Sequence, residues 1–119
     1  MPAQEFDLRI DRNTTFTLVA TVSANGSPMD LTGYAVRSEM NGSTDYIPGG
    51  NFDFSPTITD AAGGEITITM TTVQTATLSN TEAVTKQNKP LWDLLIDDQS
   101  GQVDKILEGR VSIEETQTP

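Results

Sequence analysis

Residues 91–113 read LWDLLIDDQSGQVDKILEGRVSI, and this stretch decides the fold. Trp92, Leu94 and Ile96 alternate with outward Asp93, which is the period of a strand with one buried face. Polar DQSGQ, residues 98–102, reads as a hairpin loop. Beyond it Val103, Lys105, Leu107, Gly109, Val111 and Ile113 share one face, against Asp104, Ile106, Glu108, Arg110 and Ser112 on the other. Two alternating strands joined by a short glycine-containing loop are an antiparallel hairpin.

The same period recurs towards the N-terminus. Ile66, Ile68 and Met70 alternate with polar residues in EITITM. Phe6, Leu8 and Ile10 do so in a short first strand, and Phe16, Leu18, Ala20 and Val22 in a second. Asn25-Gly26 closes that second strand, because both residues tolerate positive φ. A third strand runs from Tyr34 to Met40. Phe52, Phe54 and Ile58 mark a fourth, interrupted by Pro56 and so an edge or bulged strand. Thr71 or Thr72 opens a short helix near residues 72–78. The stretches Asn41–Asn51 and Asn80–Pro90 have no period and read as loops. Seven short strands with turn signals between them predict an all-β, antiparallel Ig-like β-sandwich. One domain spans residues 1–113, with a polar C-terminal tail at 114–119. Asp30-Leu31-Thr32-Gly33-Tyr34 reads as a structural corner between the layers. Leu31 folds inward, Gly33 supplies a backbone angle other residues resist, and Tyr34 starts the next strand with an apolar ring.

The composition removes whole classes of function. The chain has 119 residues, no Cys, no His and a formal net charge of −10. Without His or Cys there is no Ser-His-Asp or Cys-His catalysis and no ordinary zinc site. Seven scattered Lys and Arg against seventeen Asp and Glu argue against nucleic acid and anionic membranes as partners. No apolar run is long enough to cross a bilayer. The first residues lack the basic-then-apolar layout of a secretory signal, so the expectation is a protein made and released in a cytoplasm.

Three candidate sites resolve into plainer readings. Asp97–Gly101 resembles a calcium loop only superficially, because its glycine is misplaced and no acidic residue closes the loop; a hairpin turn is the better reading. Asp93 and Glu108 fall on facing strands as a carboxylate pair, but at outward positions near Lys105 and Arg110, where cross-strand charge pairing explains them. Trp92, Tyr34 and Tyr46 suggest a sugar platform, but Trp92 lies at an inward position of the most apolar strand. Tyr46-Ile47 is different. It sits at the tip of a loop, either as a contact point for a partner chain or folded back over the sandwich end. No catalytic, metal or cofactor residues are expected, and an enzyme would need carboxylate, Lys or Tyr chemistry.

The ordered set of motifs resembles a known family. Asp7-Leu8, Phe16, Gly26, Pro28 and Asp30–Tyr34, followed by Arg37 and Met40, look like the opening of small Ig-like virion proteins of tailed bacteriophages. These are similar to the N-terminal domain of the baseplate upper protein of some lactococcal phages. The likeness continues through ITDAAGGEITITMTTVQTATL and ends on Trp92-Asp93-Leu94, Gly101 and Leu107-Glu108-Gly109. It implies a non-enzymatic structural protein of the virion, made in the host bacterial cytoplasm. Its role would be an adaptor or assembly subunit of the tail, baseplate or neck, because the chain stops after the sandwich. The implied partners are other virion proteins, whether tail, baseplate, neck or capsid subunits, in a symmetric multi-copy assembly. Capsid decoration and a carbohydrate-binding module for host glycans are the alternatives. The contact residues expected are Tyr46, Ile47, Phe52 and Phe54, on the loops Asn41–Asn51 and Asn80–Pro90 and the edge strand from Phe52 to Ile58.

Overall fold

A computed structural model describes residues 3–116. Its strands are β1 (Gln4–Glu5), β2 (Leu8–Asp11), β3 (Phe16–Thr21), β4 (Ser23–Ala24), β5 (Ser27–Pro28) and β6 (Ala35–Asn41), followed by β7 (Asn51–Asp53), β8 (Thr57–Asp60), β9 (Glu65–Met70), β10 (Leu91–Asp97) and β11 (Val103–Glu114). One α-helix among the described residues, α1 (Thr72–Ala76), lies between β9 and β10, followed by a single 3-10 turn at Lys86–Asn88. Seven of the strands have four or more residues.

The larger sheet runs β1-β11-β10-β6-β7, with β2 also on β11, and the smaller runs β3-β9-β8. The orders β11-β10-β6 and β3-β9-β8 correspond to the G-F-C and B-E-D strands of an Ig sandwich, with β7 added beyond the first. Most ladders are antiparallel, but β1 and β2 both pair parallel with β11, so the N-terminal segment belongs wholly to the larger sheet. Between the sheets lie Ile10, Met40, Ile66, Ile68, Met70, Leu94, Ile96, Val111 and Ile113, all at or below 1% exposure. Removing each such side chain from water is worth about 1.5–3 kcal/mol.

Four departures from simple alternation have local causes. The stretch from Phe52 to Ile58 is not one strand: β7 edges the larger sheet and β8 the smaller. The chain crosses between layers at Phe54-Ser55-Pro56, where Ser55 takes φ 47° and donates its N–H to Asp53 Oδ1 at 2.8 Å. Pro56 has no N–H with which to continue a ladder. In the last strand a bulge shifts the pairing between Leu94↔Leu107 and Leu95↔Lys105. The extra residue turns Ile106 inward and leaves Val103 and Lys105 exposed, so alternation across residues 103–113 does not keep a single phase.

The first strand is likewise broken, into β1 and β2 at Phe6-Asp7. There the chain lies tight against Gly109, where an added Cβ would run into the Phe6 carbonyl. The Phe6 N–H donates to Glu108 O at 2.8 Å, and its carbonyl accepts Trp92 Nε1–H at 2.7 Å. Finally, Glu114 is not tail but the end of β11, held opposite Asp11. Glu115 pairs with Arg12, and the Thr116 hydroxyl donates to Arg12 O. The rest of the expected tail, 117–119, lies outside the described residues.

The corner has a clear geometry. Asp30 Oδ1 accepts the Thr32 N–H at 2.9 Å and the Thr32 hydroxyl at 2.6 Å. Leu31 is buried and donates its N–H to Ala61 O at 2.8 Å. Gly33 takes φ 83°, a region that costs other residues, and Tyr34 turns back to donate to Leu31 O at 2.9 Å.

Candidate interaction surfaces

At the end of the sandwich opposite this corner, the two loops of irregular sequence meet. The Asn41–Asn51 loop is closed on itself: Gly42 N–H donates to Gly50 O at 3.0 Å, Ile47 N–H to Ser43 O at 3.1 Å, and Gly50 N–H to Ile47 O at 2.8 Å. Ser79 N–H, just after α1, donates to Tyr46 O at 3.0 Å, and Gly42 lies so close to Pro90 that a Cβ would meet its ring at 3.0 Å. Ser43, Tyr46, Ala83, Val84, Thr85 and Asn88 line a shallow depression of about 430 Å³ between the loops. No formal charge lies among them.

The segment behind this depression is held by buried polar groups. Thr81 is fully buried; its N–H donates to Ile113 O at 2.8 Å and its hydroxyl accepts the Ile113 N–H at 2.9 Å. Thr75 is buried too, and its hydroxyl donates to Thr14 O at 2.8 Å. Arg12 donates to the Ala76 and Leu78 carbonyls at the end of α1 while its guanidinium pairs with Glu115. A cation there suits the negative end of a helix. The Asn80 side-chain bond, joined by that of Arg12, holds the Glu115 carboxyl below its ordinary range.

A second surface is the outward face of the larger sheet. Glu5 is opposite Glu108, Glu108 opposite Asp93, Asp93 opposite Glu39, and Glu39 opposite Asp53. Five carboxylates therefore cross five strands in one row, each about 5 Å from the next at Cβ. Cations flank the row rather than enter it. Lys105 pairs with Glu108 at 3.6 Å, and Lys86 reaches Asp7 at 3.2 Å and Glu5 at 3.7 Å. The Arg110 N–H donates to Asp7 Oδ1 at 2.9 Å. That backbone bond, assisted by Lys86, pulls the Asp7 carboxyl below its usual range. Asp93 and Glu108 are thus direct neighbours, and with Glu5, Glu39, Lys86 and Arg110 they line a depression of about 500 Å³ on this face.

The outward face of the smaller sheet is nearly neutral. Thr17, Val19 and Thr21 of β3 stand beside Thr69, Thr67 and Glu65 of β9, with Thr57 opposite Thr67. The Thr59 hydroxyl donates to Glu65 Oε1 at 2.7 Å.

The four expected contact residues divide. Ile47 is at 0% exposure and Phe54 at 2%, so both are core and offer no surface. Their apolar side chains seat the loop and the layer crossing: Phe54 stacks edge-on between Phe52 at 5.6 Å and Trp92 at 6.4 Å. Tyr46 and Phe52 are half-buried and partly open to solvent. Trp92 is buried and forms no platform with the tyrosines. In the hairpin after β10, Asp97 Oδ1 accepts the Gln99 N–H and Asp98 Oδ1 accepts the Ser100 and Gln102 N–H groups, so these carboxylates shape the turn. Among the described residues no group of three or more acidic side chains is arranged to hold a metal.

A family model for the BppU N-terminal domain matches residues 8–97. No curated protein matches the chain. Among solved structures, the extracellular domain of the voltage-gated sodium channel beta4 subunit superposes with a TM-score of 0.47 at 6% identity, covering 98% of this chain and 96% of that one. A chain from the complex of ICOS with ICOS-L and an anti-ICOS-L VNAR domain gives 0.41 at 15% identity, covering 96% of this chain and 56% of that one.

Proposed function

The chain belongs to the BppU N-terminal domain family of phage baseplate structural proteins, and from that premise we propose that it is an adaptor or assembly subunit of a tailed-phage virion. It acts through protein contacts in the tail, baseplate or neck and catalyses no reaction. The observation that carries this reading is the family match across β2 to β10, which spans both sheets.

The contact we assign to this role is the loop end. The Asn41–Asn51 loop is closed by its own backbone bonds and by Ser79, the Asn80–Pro90 loop is tied to β11 at Thr81, and Tyr46 supplies a half-buried aromatic ring of the kind that anchors interfaces. Phe52 of β7, also half-buried, lines a separate depression beside Phe54 and Gln74 and is a second contact of the same kind. Docking on a pre-ordered surface loses little conformational entropy.

Immunogold labelling of intact virions with antibody against this chain tests the reading. Gold at the tail tip or neck is the expected result, with Tyr46→Asp virions losing it. Gold over the head would replace the tail role by capsid decoration. Blank virions, with denatured virions also blank on a blot, would overturn a virion role altogether.

A further inference from the structure

Open sheet edges present unpaired N–H and C=O groups to other chains, and proteins guard them with short strands, charge, proline or bulges. Three of the edges here are guarded. β7 has three residues and runs into Ser55-Pro56. β8 follows Pro56 and has an irregular ladder between Ile58 and Asp60. β1 and β2 are short, broken at Phe6-Asp7, and carry Glu5, Arg9 and Asp11. β3, the remaining edge, has none of these guards. Its sequence is FTLVAT, uncharged and free of proline, in an unbroken ladder with β9.

Its hydrogen-bond phase can be read from the structure. Val22 N–H donates to Gly64 O at 2.8 Å, and these two residues continue the β3–β9 register. Bonded pairs recur every second residue, so Phe16, Leu18 and Ala20 bond to β9. Thr17, Val19 and Thr21 therefore aim their N–H and C=O groups at the open edge. Val19, in the middle, is 56% exposed. Beside the strand a groove of about 410 Å³ opens between the sheets, lined by Phe6, Leu18, Ala20, Val22, Ile106 and Leu107.

We propose that β3 is the contact through which two copies of this chain associate, antiparallel about a two-fold axis at Val19, joining their smaller sheets into one of six strands. The strand is complementary to itself. Val19 meets Val19 of the partner subunit, and Thr17 meets Thr21 of the partner subunit, with about six backbone hydrogen bonds between them. The inward side chains of the added strand arrive over the apolar groove, which an isolated domain leaves wet.

The strand's own pattern, Thr17 and Thr21 placed evenly about Val19 with no charge between them, fits a second copy as the occupant. At −10 per chain, two copies meeting through the acidic row would oppose carboxylates directly. The β3 side has Glu65 as its nearest carboxylate, opposite Thr21. Across the two-fold axis the two Glu65 side chains lie three strand spacings apart, about 14 Å or more, beyond the Debye length of about 8 Å at physiological salt. The inference requires only the free edge and stands whether or not the virion reading does.

The natural chain has no cysteine, so one introduced thiol reports the geometry. Paired residues at the axis have Cα atoms about 5.5 Å apart, within the range a disulfide spans. Oxidised Val19→Cys should become a covalent dimer, while Leu91→Cys, equally exposed on the acidic sheet, should stay monomeric. Sedimentation of the wild-type chain should show a concentration-dependent dimer, weakened at least about tenfold by Val19→Lys. If circular dichroism finds Val19→Lys unfolded, Thr17→Lys places the same charge on the same edge. A wild-type chain still monomeric at about 1 mM, as when another protein supplies the strand, would overturn the proposal. So would Val19→Cys cross-linking no faster than Leu91→Cys.

Discussion

The outward faces of the two sheets are built on the same pleat and have opposite electrostatics. The larger carries Glu5, Glu108, Asp93, Glu39 and Asp53 in one row; the smaller carries threonines, one valine and a hydrogen-bonded glutamate. Like charges directly opposite one another destabilise a sheet, whereas threonine neighbours support it. The larger sheet bears that repulsion because it is tied down elsewhere. Trp92, Gly109 and Asp7 fasten the N-terminal strands across it, and Lys86 and Lys105 flank its acidic row. The smaller sheet carries little charge and has an unguarded edge. One face would set carboxylates against any copy brought to it, whereas the edge strand of the smaller sheet carries no charge of its own.

The contrast can be broken most severely at Trp92. Trp92→Ala empties the packing against Phe54 and strands the Phe6 carbonyl, for an expected loss of about 3–5 kcal/mol in urea unfolding. A loss below about 1 kcal/mol would mean that the larger sheet is not pinned there. Next comes Gly109→Ala, whose methyl must displace the Phe6 backbone. An expected loss of about 1–3 kcal/mol should appear with faster amide exchange of residues 4–10 while β3 and β9 stay protected; uniform loss of protection would contradict the local account.

Smaller effects sharpen the comparison. Asp93→Asn removes the middle charge of the row and should stabilise by about 0.2–1 kcal/mol. The gain should fade in about 1 M salt, where the screening length is near 3 Å. Thr67→Asn, on the other face, should cost up to about 1 kcal/mol in strand preference, and because it changes no charge that cost should respond little to salt. A gain at Asp93 that persists in high salt would rule out repulsion as its source.

The most local effect is on pH dependence. The folded pKa of Asp7 lies below its unfolded value, so its contribution is complete above about pH 4 and is lost as pH falls through the folded value. Wild type should therefore lose stability more steeply than Asp7→Asn below about pH 4. Parallel acid titrations of the two would show that the Arg110 bond does not discriminate the charged carboxylate.

Much of this was legible in the residues. EITITM and LWDLLID gave their inward sets correctly because in those strands the period of two is unbroken. Leu31 and Gly33 marked a corner because a buried leucine beside a glycine of positive φ has few other uses. The errors share one cause, which is that alternation predicts a face only while the ladder stays regular. Alternation puts Ile106 outward, because the bulge that turns it inward depends on how β11 meets β10. Phe54 reads as an edge residue, because Pro56 signals interruption without saying that the chain changes sheets. Ile47 reads either as a contact tip or as folded back over the sandwich end, and the structure takes the second, with its side chain at 0% exposure.

By itself the sequence determined that this is an all-β chain, strongly acidic, without the His and Cys that Ser-His-Asp, Cys-His and ordinary zinc chemistry need, because composition and period are local properties. Only the tertiary structure decided which residues stand opposite one another and which strand is left over. The acidic row is drawn from residues 5, 39, 53, 93 and 108, and β3 is an open edge because β1 and β2 chose β11 instead. Register and sheet order are settled by long-range pairing, and no window of sequence contains both partners of a ladder that joins residue 5 to residue 108.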